Sequence, residues 1–387
     1  MRGHKLKLVA DIDLPFVRDY FGSAGSVVLK PGRLIERADL LDADVLLVRS
    51  ITRVDEALLR GTPVKFVGTV TTGVDHLDTV WLDQAGILWR SAAGYNAQPV
   101  AEYVIAAIAA WQLTNQLPPA ALRVGVVGVG QVGGRVAERC QQLGHTVFLC
   151  DPPRAEQEKD FSSRPWSDFN ALDLVTVHTP LTKTGKHPTY HLINSAFLQA
   201  AKNKCVLLNT SRGAVVDFSA LPEHQKNWTY GFDVWEGEPE INWECLRFAA
   251  LATPHLAGYS VQCRYRGIEM IHRACRELQL IETAEQPAPA LPRQRLSFGG
   301  KCVSWREVVL AVFNPLSVTP VMKEGLSPEN VILKGAGKCA TLFDELRQRY
   351  IGDGIQRHEF GYTIVSNLRL AEADRFVLTK LGITIEE

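Results

Sequence analysis

A glycine-rich turn between a predicted strand and a predicted helix constrains the fold of this chain more than any other feature. The turn reads Gly128-Val-Gly-Gln-Val-Gly133, and the apolar run Val124–Val127 leads directly into it. Apolar residues then recur at helical spacing until Gly144, where the helix should end. A glycine turn in this context is typical of dinucleotide binding, because free N–H groups at the helix N-terminus accommodate a pyrophosphate. The sequence therefore predicts a Rossmann-type unit.

The acidic residue after the next strand indicates which dinucleotide is bound. Asp151 follows the predicted strand Thr146–Cys150, eighteen residues after Gly133. A carboxylate at this position accepts hydrogen bonds from ribose hydroxyls and repels the 2′-phosphate of NADP, which favours NAD. Two alternatives stay open: Arg154 is near enough to accept a 2′-phosphate, and Asp151 could simply close a turn before Pro152.

The alternation of β-rich and helical segments predicts an α/β architecture with parallel sheets. Residues 97–113 are apolar on nearly every face, which predicts a buried helix between two α/β series. We expect a doubly wound, Rossmann-type NAD-binding domain at 96–257. A smaller α/β substrate-binding domain should combine 1–95 with 258–287. After the proline-rich linker Glu285–Arg293, we expect a C-terminal α/β dimerisation domain at 288–387.

Three polar residues each follow a predicted strand of the second series, at the edge where parallel strands end. They are Arg212, Glu238 and His255. An arginine can hold carboxylate and hydroxyl oxygens in a fork, and a histidine beside a glutamate can accept a hydroxyl proton. Each residue alone has an ordinary explanation as a surface charge or a turn residue. Their joint placement predicts the oxidation of a 2-hydroxy acid.

Composition argues against several other classes of protein. Forty-two Lys and Arg balance forty-two Asp and Glu, so we expect no nucleic-acid partner. No apolar run reaches the ~18 residues that a membrane helix needs, and we expect neither a membrane span nor a secretory signal. Eight cysteines without a C-x-x-C pair predict free thiols in the cytoplasm. Pro188 interrupts the one H-x-x-x-H pair, His187 and His191, so no metal site is expected.

The chain resembles the D-2-hydroxyacid dehydrogenase family over about residues 6–285. Besides the glycine turn, the resemblance rests on five segments: Cys150–Arg154, His178–Pro180, Ser211–Asp217, Asp233–Pro239 and His255–Tyr259. It implies that Arg212 and Glu238 are active-site residues and that His255 is the proton acceptor. The implied cofactor contacts are Gly128, Gly130, Gln131, Val132, Gly133, Asp151, Thr179, Thr210, Ser211, Arg212, Asp233 and Gly258. The implied substrate contacts are Ser50, Thr71 and Tyr259.

The same segments resemble a subgroup that acts on a small phosphorylated 2-hydroxy acid and forms homodimers. A substrate phosphate needs cationic donors, and Arg49, Arg347 and Arg349 are candidates. The last two could reach the site from a partner subunit or belong to a solvated helix face. Tyr95 replaces a small residue or cysteine of the family. Two other functions stay open: another activity of the family, such as that of phosphoglycerate dehydrogenase, and a non-catalytic NAD(H)-sensing scaffold.

Overall fold

The computed structural model describes residues 6–201, 204–281, 290–335, 338–351 and 357–386. The chain forms two compact units. The first unit combines Met1–Asn96 with Val261–Leu291, and the second combines Ala97–Ser260 with Pro292–Glu387. The C-terminal segment, for which the sequence predicts a domain of its own, therefore lies in the same compact unit as the predicted nucleotide-binding residues.

A five-stranded parallel sheet forms the first unit, in the order β2-β1-β3-β4-β5. Its strands are β1 (Leu6–Asp11), β2 (Gly25–Lys30), β3 (Val45–Val48), β4 (Phe66–Thr69) and β5 (Leu88–Ser91), and the helices along this stretch are α1 (Val17–Phe21), α2 (Glu56–Leu59) and α3 (Thr79–Gln84). Every residue of β3 and β4 is buried, as expected of central strands in a parallel sheet. The sequence predicts strands at Leu6–Ala10, Val45–Val48 and Lys65–Gly68, and these correspond to β1, β3 and β4. The edge strands β2 and β5 are half-exposed and were not predicted.

The second unit contains a six-stranded parallel sheet in the order β11-β10-β9-β8-β6-β7. Its helices are α4 (Ala97–Leu113), α5 (Gln131–Gln142), α6 (Pro152–Gln157), α7 (Ser195–Gln199), α8 (Leu221–His224) and α9 (Trp243–Phe248), and its strands are β6 (Arg123–Val127), β7 (Thr146–Cys150), β8 (Leu174–Val177), β9 (Cys205–Asn209), β10 (Trp228–Phe232) and β11 (Leu251–Ala252). The strand order reverses at β6, which has β7 on one side and β8 on the other. Ligands of open α/β sheets bind at such a reversal, and the predicted glycine turn lies there.

The predicted buried helix is α4, with the same bounds. All but two of its residues are buried, because a helix that is apolar on every face has no side to present to solvent. Trp111 packs so closely on β10 that a Cβ added to Gly231 would lie 2.5 Å from its ring. The one charged residue of this helix, Glu102, is only 1% exposed. None of the helices among the described residues is both long and apolar enough to cross a bilayer.

The C-terminal part of the chain first returns to the first unit and then completes the second. Helix α10 (Val261–Glu277) buries Ile271 and Cys275 in the core of the first unit. The remaining elements are α11 (Trp305–Val312), α12 (Val318–Gly325), α13 (Pro328–Lys334), α14 (Cys339–Ile351), α15 (Glu372–Leu381) and the parallel strands β12 (Gln294–Cys302), β13 (Thr363–Arg369) and β14 (Thr384–Ile385). Val308 and Phe343 are buried in the two apolar clusters that also contain the six-stranded sheet. Most of the predicted linker lies outside the described residues.

Two neighbouring glycines of α5, Gly133 and Gly134, provide a test of how closely this helix packs against the glycine turn. A Cβ on Gly133 would lie 1.9 Å from the Gly128 carbonyl oxygen, whereas a Cβ on Gly134 would meet no atom within 4 Å. We expect Gly133→Ala to lower the free energy of unfolding by about 1–3 kcal/mol or more, because the chain must move apart. Gly134→Ala should raise it by about 0.5–1 kcal/mol, because alanine favours the helix. Urea unfolding measures both, and equal effects would contradict the close approach.

Candidate active site

The predicted site residues of the second unit follow the carboxyl ends of its six parallel strands. The glycine turn follows β6, Asp151 follows β7, Thr179 follows β8, Thr210–Arg212 follow β9, Asp233 and Glu238 follow β10, and His255–Tyr259 follow β11. Because the strands are parallel, these ends lie along one edge of the sheet. Ser50 and Thr71 belong to the first unit, where they follow β3 and β4, and the Thr71 hydroxyl donates to a backbone carbonyl 2.7 Å away.

The glycine turn has the shape that a dinucleotide pyrophosphate requires. Gly128 has a φ of 82°, a conformation that glycine adopts without strain. A Cβ on Gly130 would meet no atom within 4 Å, so the backbone is open to close approach there. Beside the turn, the Thr179 hydroxyl is buried and has no hydrogen-bond partner among the described residues. An open backbone next to an unpaired hydroxyl fits NAD.

Asp151 and Arg154 interact with each other and with the glycine turn. The carboxylate accepts hydrogen bonds from the backbone N–H groups of Arg154 (3.0 Å) and Val129 (2.8 Å). A carboxylate has about four acceptor sites, so capacity for ribose hydroxyls remains. The Arg154 guanidinium donates to the Val129 carbonyl (2.7 Å) and to Glu158 (2.9 Å), and it stacks on Phe161. Because these contacts occupy the Arg154 guanidinium, it is poorly placed to bind a 2′-phosphate, which favours NAD over NADP.

His178 lies close to Thr210 at the same edge but is unsuited to proton transfer at neutral pH. Its ring nitrogens lie 3.0 Å from the Thr176 hydroxyl and 3.2 Å from the Thr210 hydroxyl. Burial lowers the pKa of His178 to about 3, so the ring is neutral. It orients two threonine side chains.

His255 and Glu238 form a hydrogen-bonded pair at the edge of the sheet. The His255 Nδ1 lies 2.8 Å from Glu238 Oε2, and the Trp235 backbone N–H donates to the other carboxylate oxygen at 2.6 Å. Burial opposes ionisation of Glu238, but attraction to His255, both hydrogen bonds and the charge of Arg347 outweigh it and lower its pKa. Since Nδ1 is held by an ionised carboxylate, Nε2 is the nitrogen that can accept a substrate proton.

Asp233 positions the loop that carries His255. Its carboxylate, 1% exposed, accepts hydrogen bonds from the Thr253 hydroxyl (2.6 Å) and from the N–H groups of Leu256 (2.6 Å) and Ala257 (3.0 Å). Its carbonyl accepts from the His255 N–H at 2.8 Å. His255 has a φ of 58°, which is uncommon for a residue with a side chain. The family resemblance implies a cofactor contact at Asp233, and no local sequence pattern indicates this positioning role.

The turn after β9 places Arg212 beside the segment that carries Glu238. Asn209 closes the turn, because its side chain accepts from the Ser211 N–H at 3.0 Å and donates to the Arg212 carbonyl at 2.9 Å. The next residue, Gly213, lies directly on the backbone of Trp235, where an added Cβ would come within 1.9 Å of the carbonyl carbon. Direct contact between these two loops therefore brings the backbone next to Arg212 against the segment that carries Glu238.

Arg347 of α14 reaches the same group of residues. Its Nη2 donates to the Tyr259 hydroxyl at 2.8 Å, and its guanidinium carbon lies 5.4 Å from the centre of that ring. Its Nε is buried and has no hydrogen-bond partner within the described part of the chain. Arg347 thus contacts Tyr259 within its own chain, and of the two alternatives left open by the sequence neither a partner subunit nor a fully solvated helix face is needed to describe it. Arg349, in contrast, is exposed.

In the first unit, Arg49 is already paired with carboxylates. Its Nε lies 2.7 Å from the buried carboxylate of Asp11, and its Nη2 contacts Asp13. Two nitrogens of the Arg49 guanidinium are therefore already engaged by carboxylates. The Tyr95 carbonyl accepts from Arg266 at 2.7 Å within the same unit.

The two histidines of the H-x-x-x-H pair bind different carboxylates. His187 lies 2.8 Å from Glu156, and His191 lies 2.7 Å from Glu236. The described residues contain no group of three His, Cys, Asp or Glu side chains that could hold a metal ion.

Comparison with known proteins supports the fold and the cofactor. Residues 107–257 match the family described as D-isomer specific 2-hydroxyacid dehydrogenase, NAD binding domain. The 3-phosphoglycerate dehydrogenase of Entamoeba histolytica, solved with NAD+, superposes with a TM-score of 0.60 at 21% identity, over 71% of this chain and 96% of that chain. The predicted Rossmann-type fold, the resemblance to D-2-hydroxyacid dehydrogenases and NAD as the cofactor are thereby confirmed.

Two relatives identify a narrower family. An erythronate-4-phosphate dehydrogenase of Coxiella burnetii (strain RSA 331 / Henzerling II) is 48% identical over 269 residues, which cover 70% of this chain and 73% of that protein. The protein of the same name from Pseudomonas aeruginosa (strain UCBPP-PA14) is 38% identical over 361 residues, which cover 89% and 92%. The second alignment also extends over most of the C-terminal segment. The chain therefore belongs to the erythronate-4-phosphate dehydrogenase family.

Proposed function

We propose that this chain oxidises 4-phospho-D-erythronate to (R)-3-hydroxy-2-oxo-4-phosphooxybutanoate with NAD, in de novo pyridoxal 5′-phosphate synthesis. The observation that carries the proposal is the His255–Glu238 pair, held 2.8 Å apart at the same edge of the sheet as a glycine turn that fits NAD. A non-catalytic NAD-sensing scaffold needs no such pair. The names of the relatives favour erythronate 4-phosphate over other 2-hydroxy acids.

The proposed mechanism divides the chemistry among three side chains. His255 Nε2 accepts the proton of the C2 hydroxyl while C2 loses a hydride and the carbonyl bond forms. Ionised Glu238 stabilises the imidazolium that results and keeps the ring oriented. Arg212 binds the substrate carboxylate and the C2 oxygen in a fork. NAD, when bound along Gly128–Gly133, supplies the hydride acceptor.

Arg347 is the side chain best suited to bind the substrate phosphate. It is a partly buried cation whose buried Nε has no hydrogen-bond partner among the described residues, and it donates to Tyr259, which the family resemblance implies as a substrate contact. An arginine can offer a phosphate two parallel donors, which gives both affinity and orientation. Tyr259 and Arg347 then form one phosphate subsite, and the C-terminal segment contributes to substrate recognition.

The same proposal includes a homodimer in the cytoplasm. Large apolar side chains stand exposed on the C-terminal segment: Ile332 is 75% exposed and Leu333 is 84% exposed on α13, and Phe376 is 58% exposed on α15. Exposed apolar groups of this size favour burial against a second chain. All eight cysteines are free thiols, which is typical of a reducing compartment.

Replacing His255 tests the catalytic assignment. His255→Gln should bind NAD normally and lower kcat about 10²–10⁴-fold, because general-base catalysis typically contributes that much. Glu238→Gln should also lower kcat, because the imidazolium that forms on His255 loses the carboxylate that stabilises it. Initial rates of NADH formation from 4-phospho-D-erythronate measure both effects.

A second histidine–glutamate pair, His191 and Glu236, provides matched controls. Glu236 lies two residues before Glu238 and pairs with His191 at 2.7 Å. His191→Gln and Glu236→Gln should keep the wild-type rate and pH profile. A near-wild-type rate for His255→Gln would refute the assigned base. Faster wild-type turnover of 3-phosphoglycerate than of 4-phospho-D-erythronate would refute the assigned substrate.

Replacing Arg347 tests the phosphate subsite. Arg347→Met should raise KM for 4-phospho-D-erythronate about 10–100-fold, because it removes charge-assisted hydrogen bonds worth about 1.5–3 kcal/mol. KM for unphosphorylated D-erythronate should change little. Arg349→Met, one half-turn further along α14 and exposed, is the control and should match wild type. An equal loss with both substrates would assign Arg347 to the orientation of Tyr259 instead.

The quaternary structure can be measured directly. Sedimentation equilibrium should give about twice the chain mass, and the double variant Ile332→Glu/Leu333→Glu should give the monomer mass, because it places charges on the proposed interface. Phe376→Glu places a charge on α15 instead of α13; it is the control and should still give about twice the chain mass. A monomeric wild type would contradict the homodimer, and a monomer produced by Phe376→Glu alone would move the interface to α15.

A further inference from the structure

Three buried charged side chains connect the C-terminal segment to the centre of the second unit. Arg357 and Glu359 lie just before β13, and Glu102 lies on α4. Their exposed fractions are 8%, 3% and 1%. Burying ionised groups costs free energy unless hydrogen bonds and opposite charges compensate, so such a cluster requires a physical explanation.

The cluster contacts the loop that carries His255. Arg357 Nη1 donates to the Ala257 carbonyl at 3.1 Å, and its Nη2 donates to the Pro99 carbonyl at 2.6 Å, which joins the loop to the start of α4. Glu359 accepts a 2.7 Å hydrogen bond from the Ser260 hydroxyl. The loop is thus held at Ala257 and Ser260, on either side of Gly258 and Tyr259.

These contacts complement those that Asp233 makes with the same loop. Asp233 binds the N–H groups of Leu256 and Ala257, whereas Arg357 binds the carbonyl of Ala257. The peptide groups on both sides of the Ala257 Cα are therefore anchored to charged side chains from two different parts of the chain. Peptide groups held in this way cannot rotate freely. His255 needs this support, because its backbone has a left-handed conformation that is unfavourable for a residue with a side chain.

Glu102 balances the charge of the cluster by remaining neutral. Its Oε1 accepts from Gln98 (2.7 Å) and from the Phe360 N–H (3.1 Å), and its Oε2 is buried without a hydrogen-bond partner among the described residues. Burial and the charge of Glu359 outweigh attraction to Arg357 and raise the pKa of Glu102 to about 8. At neutral pH one cation then faces one anion.

We propose that Glu102, Arg357 and Glu359 are positioning residues, which set the His255–Ser260 loop and thereby couple the C-terminal segment to the proton acceptor. The inference rests on the proposed function, because it takes His255 as that acceptor. None of the three side chains has to touch substrate. Their effect is transmitted through the backbone of Ala257 and the side chain of Ser260.

Removing Arg357 would take away two backbone hydrogen bonds and a buried charge at once, so variants that change only the contact between Ser260 and Glu359 test the proposal. Ser260→Ala and Glu359→Gln each weaken one contact with the loop, and each should lower kcat about 3–10-fold while the Kd for NAD stays within about twofold. Because they act at the same contact, the double variant should lose no more than the stronger single one.

Thr363→Val is the matched control. It removes a buried hydrogen bond of the same segment, from the Thr363 hydroxyl to the Glu359 carbonyl (3.2 Å), and this bond does not involve the His255–Ser260 loop. It should lower the unfolding midpoint but leave kcat unchanged. An equal fall of kcat in Thr363→Val, or wild-type kcat in Ser260→Ala and Glu359→Gln, would overturn the proposal. If wild type oxidises another 2-hydroxy acid, the substrate assignment fails and that acid serves for the comparison.

Glu102→Gln tests the neutral state of Glu102 by stability. Folded Glu102 holds its proton up to about pH 8, whereas the unfolded side chain loses it near its ordinary pKa of 4.5. Its contribution to stability is therefore complete below pH 4.5 and is lost as pH rises to about 8. The urea midpoint of wild type should fall over this range relative to that of Glu102→Gln. Urea midpoints of wild type and Glu102→Gln that change in parallel over this pH range would contradict the charge balance.

Discussion

The buried carboxylate of Asp233 is the interaction on which the candidate active site depends. The carboxylate accepts three hydrogen bonds from residues that follow β11, and the backbone carbonyl of Asp233 accepts a fourth from the N–H of His255. Burial raises the pKa of Asp233, against the charge of His255 and the hydrogen bonds that lower it. Without these bonds, the left-handed backbone of His255 would have little to hold it, and the histidine would lose its geometry toward Glu238.

Charge and burial separate the roles of the histidines along this edge. His178 is buried against two threonines, so it stays neutral and orients neighbours. His255 is one-third exposed and bound to an ionised carboxylate, which suits reversible proton transfer. The same principle applies to the carboxylates, because Glu238 beside a histidine and an arginine has a lowered pKa, whereas Glu102 in the apolar interior has a raised one.

Features that depend on neighbours in sequence could be predicted from the sequence. Helix α4 was found with its bounds because uniform apolarity over seventeen residues allows one structure only, and β6 was found because its apolar run leads into the glycine turn. The edge strands β2 and β5 were missed, since half-exposed strands have no continuous apolar run. The proline-rich stretch suggested a domain boundary, but composition does not reveal that Val308 and Phe343 pack into the clusters of the second unit.

The sequence by itself determined the nucleotide-binding turn, the preference for NAD, and the strand ends at which Arg212, Glu238 and His255 lie, because parallel strands place all their carboxyl ends at one edge. Only the tertiary structure decided that Asp233 holds the loop that carries His255, that Arg347 meets Tyr259 across 88 positions of the chain, and that Glu102 meets Phe360 across 258. These contacts join side chains that no local pattern relates. They form because packing of the C-terminal segment against the sheet buries polar groups, and buried polar groups must find partners wherever the fold supplies them.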